Sequence, residues 1–191
     1  KNPKEMWSNA GISAVDMSAS YYFDDGYWNG NVWMSHQWFI WKTMLDNGEA
    51  DFAFDIAKLA LDMWKEETDF TYNTYECFGI ATRRGGWFHN FGGLSAPICI
   101  WANAYFKPQT VTTGFDVWTD YQKTTDTSAE IKFKYFGNCD KYTMVVTLSD
   151  RAQYTAYLDG KEISFNERNK GSLEFTFKKD VKGGVLEIKE K

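Results

Sequence analysis

The spacing of apolar residues changes once along this chain, near Lys107-Pro108, from a helical period to a period of two. In the first part, Asp51, Asp55, Lys58, Asp62 and Lys65 recur at steps of three and four, while Ala53, Ile56, Ala57, Ala60 and Trp64 fill the opposite side. That spacing predicts an amphipathic helix over residues 49–67 with one wet face. The stretch before it, residues 31–46, is different: Val32, Trp33, Met34, Trp38, Phe39, Ile40, Trp41, Met44 and Leu45 leave almost no polar side. A helix of that kind has to be covered all round or line a cleft. Asn47-Gly48 is a helix stop, so the pair reads as an αα-hairpin with an inner and an outer member. A third apolar helix is predicted over residues 92–106, ending before Pro108, and the inner–outer–inner order implies concentric helical layers. Between the second and third helices, residues 69–91 are rich in Gly, Thr and Asn. That is long for a connection, which makes the segment a candidate functional loop.

After Pro108, Ile131, Phe133 and Tyr135 alternate with Lys132 and Lys134. Met144, Val146 and Leu148 alternate in the same way, as do Leu173, Phe175 and Phe177, and then Val185, Leu186 and Ile188 less cleanly. Turn signals stand at Gly137-Asn138, Asp159-Gly160, Asn169-Lys170-Gly171 and Gly183-Gly184. Short strands at regular spacing predict a small antiparallel β-sandwich. The expected fold is therefore α + β in two domains, a helical one over residues 1–110 and a sandwich over 111–191.

Composition narrows the function. Aromatics make up 18% of 191 residues, including 9 Trp, more than an ordinary core requires. The net charge of −5, with no basic stripe, argues against a nucleic-acid partner, whose phosphates demand clustered Lys and Arg. No apolar run reaches the roughly 18 residues of a membrane span. A soluble protein of bacterial cytoplasmic or periplasmic type is expected, with the compartment itself left open. Cys77, Cys99 and Cys139 are too few and too scattered for a disulfide framework. With two histidines, His36 and His89, and no Cys-x-x-Cys pair, neither a metal site nor a cofactor is expected. The start, Lys1-Asn-Pro-Lys-Glu-Met-Trp7, has no initiator Met or signal-peptide core and reads as the interior of a longer protein.

Two segments carry candidate chemistry. Gly26-Tyr-Trp-Asn-Gly-Asn-Val-Trp33 is a run of aromatics broken by glycines, and Tyr72-Asn-Thr-Tyr-Glu-Cys-Phe78 sets one carboxylate, Glu76, among rings. A lone Glu outside a helix is most often solvated; its aromatic surroundings make Glu76 a candidate for deprotonating a water. Tyr27, Trp28 and Trp33 are candidates for stacking on pyranose rings, against ordinary core packing as the alternative, and Tyr75 and Trp87 are further substrate-binding candidates. Asn29, Asn31, His36 and Gln37 offer uncharged donors and acceptors for sugar hydroxyls, with a structural role as the other reading. Arg83-Arg84 is suited to binding a substrate carboxylate or clamping Glu76, although such pairs are more often solvated or salt-bridged. Asp24-Asp25 read first as turn caps.

Gly-Tyr-Trp-x-Gly-x-Val-Trp opening an inner helix, followed by an outer helix and then by Tyr-Glu-x-Phe before an apolar helix, resembles the six-hairpin (α/α)₆ glycosidases. The resemblance is to glycoside hydrolase family 63 and its mannosylglycerate-hydrolase-like and trehalase relatives, and covers about residues 11–106. It implies the C-terminal portion of an inverting hydrolase of O-glycosidic bonds, with an oligosaccharide or glycoside substrate. Glu76 matches the general base, and Tyr27, Trp28, Gly30 and Trp33 match the cleft-lining motif. Relatives commonly carry Arg where Asn29 stands and Pro where Asn31 stands. The general-acid Asp of that family lies upstream, and Asp16, Asp24 and Asp25 do not match its surroundings. The expected partner is therefore the upstream part of the same catalytic domain, and the chain alone is expected to be incomplete and inactive. The alternatives are a non-catalytic carbohydrate-binding or scaffold module and a fragment that docks onto another polypeptide.

Overall fold

Helix boundaries in this chain are set by what the flanking residues bond to. The structure, a computed structural model, describes residues 2–191. Strands β1 (Trp7–Ser8) and β2 (Gly11–Ile12) pair ahead of α1 (Met34–Asp46) and α2 (Ala50–Thr71), then β3 (Tyr75–Phe78), β4 (Gly85–His89) and α3 (Gly92–Phe106) follow. Helix α1 begins at Met34, later than the apolar run, because Val32 is occupied in a bridge to Phe78: each amide donates to the other's carbonyl, at 2.8 and 2.9 Å. Helix α2 runs past residue 67 to Thr71, and there Thr68 and Thr71 turn their hydroxyls back to the carbonyls of Trp64 and Glu67 (2.9 Å each). Its apolar face buries Ala53, Ile56, Ala57, Ala60 and Met63, and Lys58–Asp62 and Lys65–Asp69 pair along the wet side.

Two expectations change here. Helix α1 is not covered all round, because Trp41 and Leu45 are fully buried whereas Phe39 stays exposed. Residues 69–91 are not a structureless loop: they contain the antiparallel hairpin β3–β4.

Contacts within the chain fall into two units, one made of Lys1–Trp41 and Phe54–Trp101, the other of Lys42–Ala53 and Ala102–Lys191. In the second unit nine strands follow α3: β5 (Thr110–Thr112), β6 (Val117–Thr124), β7 (Ala129–Tyr135), β8 (Lys141–Thr147), β9 (Tyr154–Leu158), β10 (Lys161–Ile163), β11 (Asn166–Asn169), β12 (Ser172–Lys178) and β13 (Gly183–Glu190). They form two antiparallel sheets, ordered β10-β9-β13-β7-β6 and β11-β12-β8-β5. Ile131, Phe133, Tyr135, Leu186 and Ile188 of one sheet and Tyr142, Met144, Val146, Leu173 and Phe175 of the other share a single core. Gly183-Gly184, expected as a turn, are instead the first residues of β13, paired with Lys134 and Phe133. Gly183 has φ +148°, and a Cβ there would meet the Phe133 carbonyl oxygen at 2.5 Å, so glycine serves a close backbone approach.

Two buried carboxylates lie in this unit: Asp46, which accepts the Phe115 and Asp116 amides (2.7 and 3.0 Å), and Glu174. Glu174, 3% exposed, accepts from Arg168 Nε and Nη2 (2.8 Å each) and from Asn166 Nδ2 (2.9 Å), while Arg168 also reaches Asp51 Oδ1 at 2.5 Å. The architecture among the described residues is α + β, three helices with mostly antiparallel sheets. Among the described residues no helix is long and apolar enough to cross a membrane.

Candidate active site

The aromatic motif is a loop tied to itself and to β3. Gly26 donates its amide to the Phe23 carbonyl (2.8 Å), Phe23 to Asn29 (3.1 Å) and Asn31 to Gly26 (3.0 Å), before the Val32–Phe78 bridge fixes the exit. Gly30 is required at the fold-back: a Cβ there would stand 1.9 Å from the Phe23 oxygen and 2.6 Å from the Gly26 nitrogen. Both obstacles are backbone, so nothing can step aside. Gly30→Ala is expected to force the loop open at a cost of about 1–3 kcal/mol. A lower urea midpoint, with loss of near-ultraviolet circular dichroism from the neighbouring indoles, would register it.

The bridge brings the motif against β3 and so delivers Tyr27 to Glu76. Glu76 is 6% exposed; its Oε1 accepts the Tyr27 hydroxyl, and its buried Oε2 has no protein partner. The hydrogen bond to Glu76 is the main reason that the Tyr27 phenol is pushed up to about 12, with burial and the carboxylate's charge adding to it. Three indoles meet the Tyr27 ring edge to face: Trp28 at 5.1 Å, Trp33 at 4.8 Å and Trp87 at 4.6 Å between centroids. Trp28 stacks on Trp33 at 4.2 Å, and Trp33 Nε1 donates to the Tyr27 carbonyl at 2.8 Å.

The remaining sequence candidates occupy varied positions. His36 lies near Trp28 and Trp33 (6.2 and 6.3 Å), and burial holds its pKa below the ordinary histidine value, so it is neutral at neutral pH. The Asn29 amide donates to the Tyr21 carbonyl (2.6 Å) and is committed to the loop. Asn31, 2% exposed, donates to Cys77 Sγ (3.2 Å) and leaves its Oδ1 without a protein partner. Burial pushes the Cys77 thiol up to about 12, which keeps it protonated and inert as a nucleophile. Gln37 exchanges two hydrogen bonds with the Ile12 backbone (2.7 and 2.9 Å), a structural tie. Tyr75 lies on the other face of β3 from Glu76, with its ring against Gly85. A cavity of about 210 Å³ opens beside the motif, lined in part by Asp25, Asn31, Thr82, Gly86 and Trp87.

Arg83 and Arg84 do not clamp Glu76. Arg83 pairs with Glu66 (3.0 Å), and Arg84 grips Glu67 through Nε and Nη2 (2.7 and 3.1 Å), with the Gly85 amide adding a third bond to the same carboxylate (2.9 Å). The Arg84 bond is the first reason that Glu67 titrates below the usual carboxylate range. Because that folded value lies below the unfolded one, the tie between hairpin and α2 is complete at neutral pH and is lost as pH falls through it.

Hairpin β3–β4 contains an irregularity that sequence pattern did not disclose. Tyr75 pairs with His89 but Cys77 with Gly86, so Trp87 and Phe88 together oppose Glu76. Trp87 takes φ +63°, the left-handed position that a bulge of this type ordinarily gives to glycine. It is also 59% exposed, so burial does not compel the strained geometry. Trp87→Gly is accordingly expected to be more stable than Trp87→Ala, by about 1 kcal/mol, the reverse of the order at an ordinary strand position. Urea denaturation of the two variants checks it.

The site is thus a buried carboxylate held by a tyrosine, with tryptophans around that tyrosine. Residues 1–83 match the family model described as the mannosylglycerate hydrolase MGH1-like glycoside hydrolase domain. The match encloses Tyr27, Trp33 and Glu76 and bears out, over those residues, the resemblance carried by the motifs. No curated protein matches the chain closely enough to count as a relative.

Proposed function

We propose that this chain is the C-terminal portion of a glycoside hydrolase, supplying the last helices of an (α/α)₆ barrel over residues 1–110 and a β-sandwich accessory domain over 111–191. Glu76 is the general base. Its Oε2 takes a proton from a water, the water oxygen bonds to the anomeric carbon, and the bond to the leaving oxygen breaks on the opposite face. A carboxylic acid, an Asp of the upstream part of the same catalytic domain, gives the leaving oxygen its proton, and the configuration inverts. Inversion requires the two carboxyls to lie roughly 6.5–9.5 Å apart, leaving room for the water.

The observation that carries this reading is the divided state of Glu76: one oxygen held by Tyr27, the other buried and without a protein partner. Trp28 and Trp87, 58% and 59% exposed, present indole surface suited to the CH faces of a sugar, with His36 nearby as a neutral donor and acceptor. The matched family, mannosylglycerate hydrolase MGH1-like, makes mannosylglycerate the first glycoside to try.

The test is made in the full-length protein that contains these residues, by following hydrolysis and product anomers with and without Glu76→Gln. Inverted product from the parent and loss of turnover in the variant support the reading; near-parental turnover in Glu76→Gln overturns it. A non-catalytic carbohydrate-binding module would show glycan affinity with no hydrolysis by the parent.

A further inference from the structure

Tyr27 stands in the cleft motif as a candidate sugar platform, yet its ring is already engaged. Trp28, Trp33 and Trp87 meet it edge to face at 5.1, 4.8 and 4.6 Å, so three sides of the phenol are spoken for by protein. What the ring presents to the site is its hydroxyl, and that hydroxyl is spent on Glu76 Oε1. A carboxylate on a side chain with several rotatable bonds does not keep one oxygen hydrogen-bonded and the other unpartnered unless something holds it. No other described hydrogen bond reaches the Glu76 carboxylate.

We infer that Tyr27 is a positioning residue rather than a sugar-stacking one: clamped by three indoles, it pins Glu76 Oε1 and leaves Oε2 as the oxygen that receives the proton. This rests on Glu76 being the general base. The clamp explains why the strained Trp87 is kept in the bulge opposite Glu76, where its ring closes the third side of Tyr27. The raised phenol agrees with the same geometry, since a hydroxyl facing a carboxylate resists losing its proton.

Tyr27→Phe keeps the ring and its packing and removes only the hydroxyl. In the full-length protein, with mannosylglycerate or an aryl glycoside as the probe, kcat is expected to fall about tenfold to a hundredfold, the range for losing a hydrogen bond to a charged group. KM should stay within about twofold, because no contact with the sugar is lost. Added to Glu76→Gln, the same change should lower residual turnover no further, since the hydroxyl acts only through that carboxylate.

A crystal structure of Tyr27→Phe supplies a readout independent of turnover: the Glu76 carboxylate should rotate or occupy more than one conformer. A single unchanged Glu76 conformer, or an unchanged kcat, overturns the inference. So does a Tyr27→Leu variant that raises KM while Tyr27→Phe leaves both constants alone, for that is the behaviour of a stacking platform. Failure of the base reading is distinguishable, because it is declared by Glu76→Gln retaining turnover, whatever Tyr27→Phe does.

Discussion

Turnover is expected to fall by about 10²–10⁴-fold when Glu76 becomes glutamine, the span typical for removing a general base. Each decade corresponds to about 1.36 kcal/mol of barrier, so the change removes roughly 3–5 kcal/mol of transition-state stabilisation. Glutamine is nearly isosteric, and its amide oxygen can still accept the Tyr27 hydroxyl, so the cage of rings around Tyr27 keeps its geometry. What disappears is the basic lone pair on Oε2, where an amide nitrogen or a non-basic oxygen now stands. The loss should therefore fall on kcat, with KM and thermal stability close to the parent. Steady-state kinetics alongside a melting curve separates this from unfolding; a drop in activity that tracks a drop in melting temperature would point to damage instead of chemistry.

The largest expected loss of stability lies in the second unit. Arg168→Met should destabilise the protein by about 3–5 kcal/mol, because it leaves the Glu174 carboxylate buried with only Asn166 donating to it. In a chain of this size that is a fall in melting temperature on the order of 10 °C. Asp51 loses a partner too, but it is exposed and adds little. The mechanism has a control: combining Arg168→Met with Glu174→Leu removes the stranded charge, and most of the loss should return. A double variant no more stable than Arg168→Met would show that the guanidinium mattered for packing and not for charge.

The helical half was legible where periodicity had length to work with. The apolar positions of α2 and the stop at Asn47-Gly48 read directly from spacing, and α3 occupies residues 92–106 as predicted. Strands β7, β8 and β12 were legible too, from the alternation of large apolar residues in sequence, although only β7 alternates in burial and β8 and β12 are covered on both faces over most of their length. Strand β6 was not: almost every residue from Trp118 to Lys123 is exposed, and a register shift between Thr119 and Tyr121 breaks its alternation. The β3–β4 hairpin was hidden for a related reason. Its strands are short, carry glycine and a bulge, and owe their place to Glu67 and Val32, which lie far off in sequence.

At the candidate site, residue types pointed to aromatic rings around one carboxylate, and the structure brings Tyr27, Trp28, Trp33, Trp87 and Glu76 together. The pairing of Tyr27 with Glu76 was not visible, because it spans 49 positions and depends on a backbone bridge. Likewise the commitment of the Asn29 amide to the Tyr21 carbonyl follows from the path of the loop, which no spacing encodes.

The Val32–Phe78 bridge has a consequence for how this cleft can change. It joins the ring-bearing loop to the carboxylate-bearing strand through two main-chain hydrogen bonds, and such a joint is indifferent to which side chains flank it. His36, which is not among the rings that meet Tyr27, can be exchanged without disturbing that joint. Side chains on the loop can vary while those two bonds keep loop and strand in register, so the surface of the cleft and the placement of its carboxylate are governed by different parts of the chain.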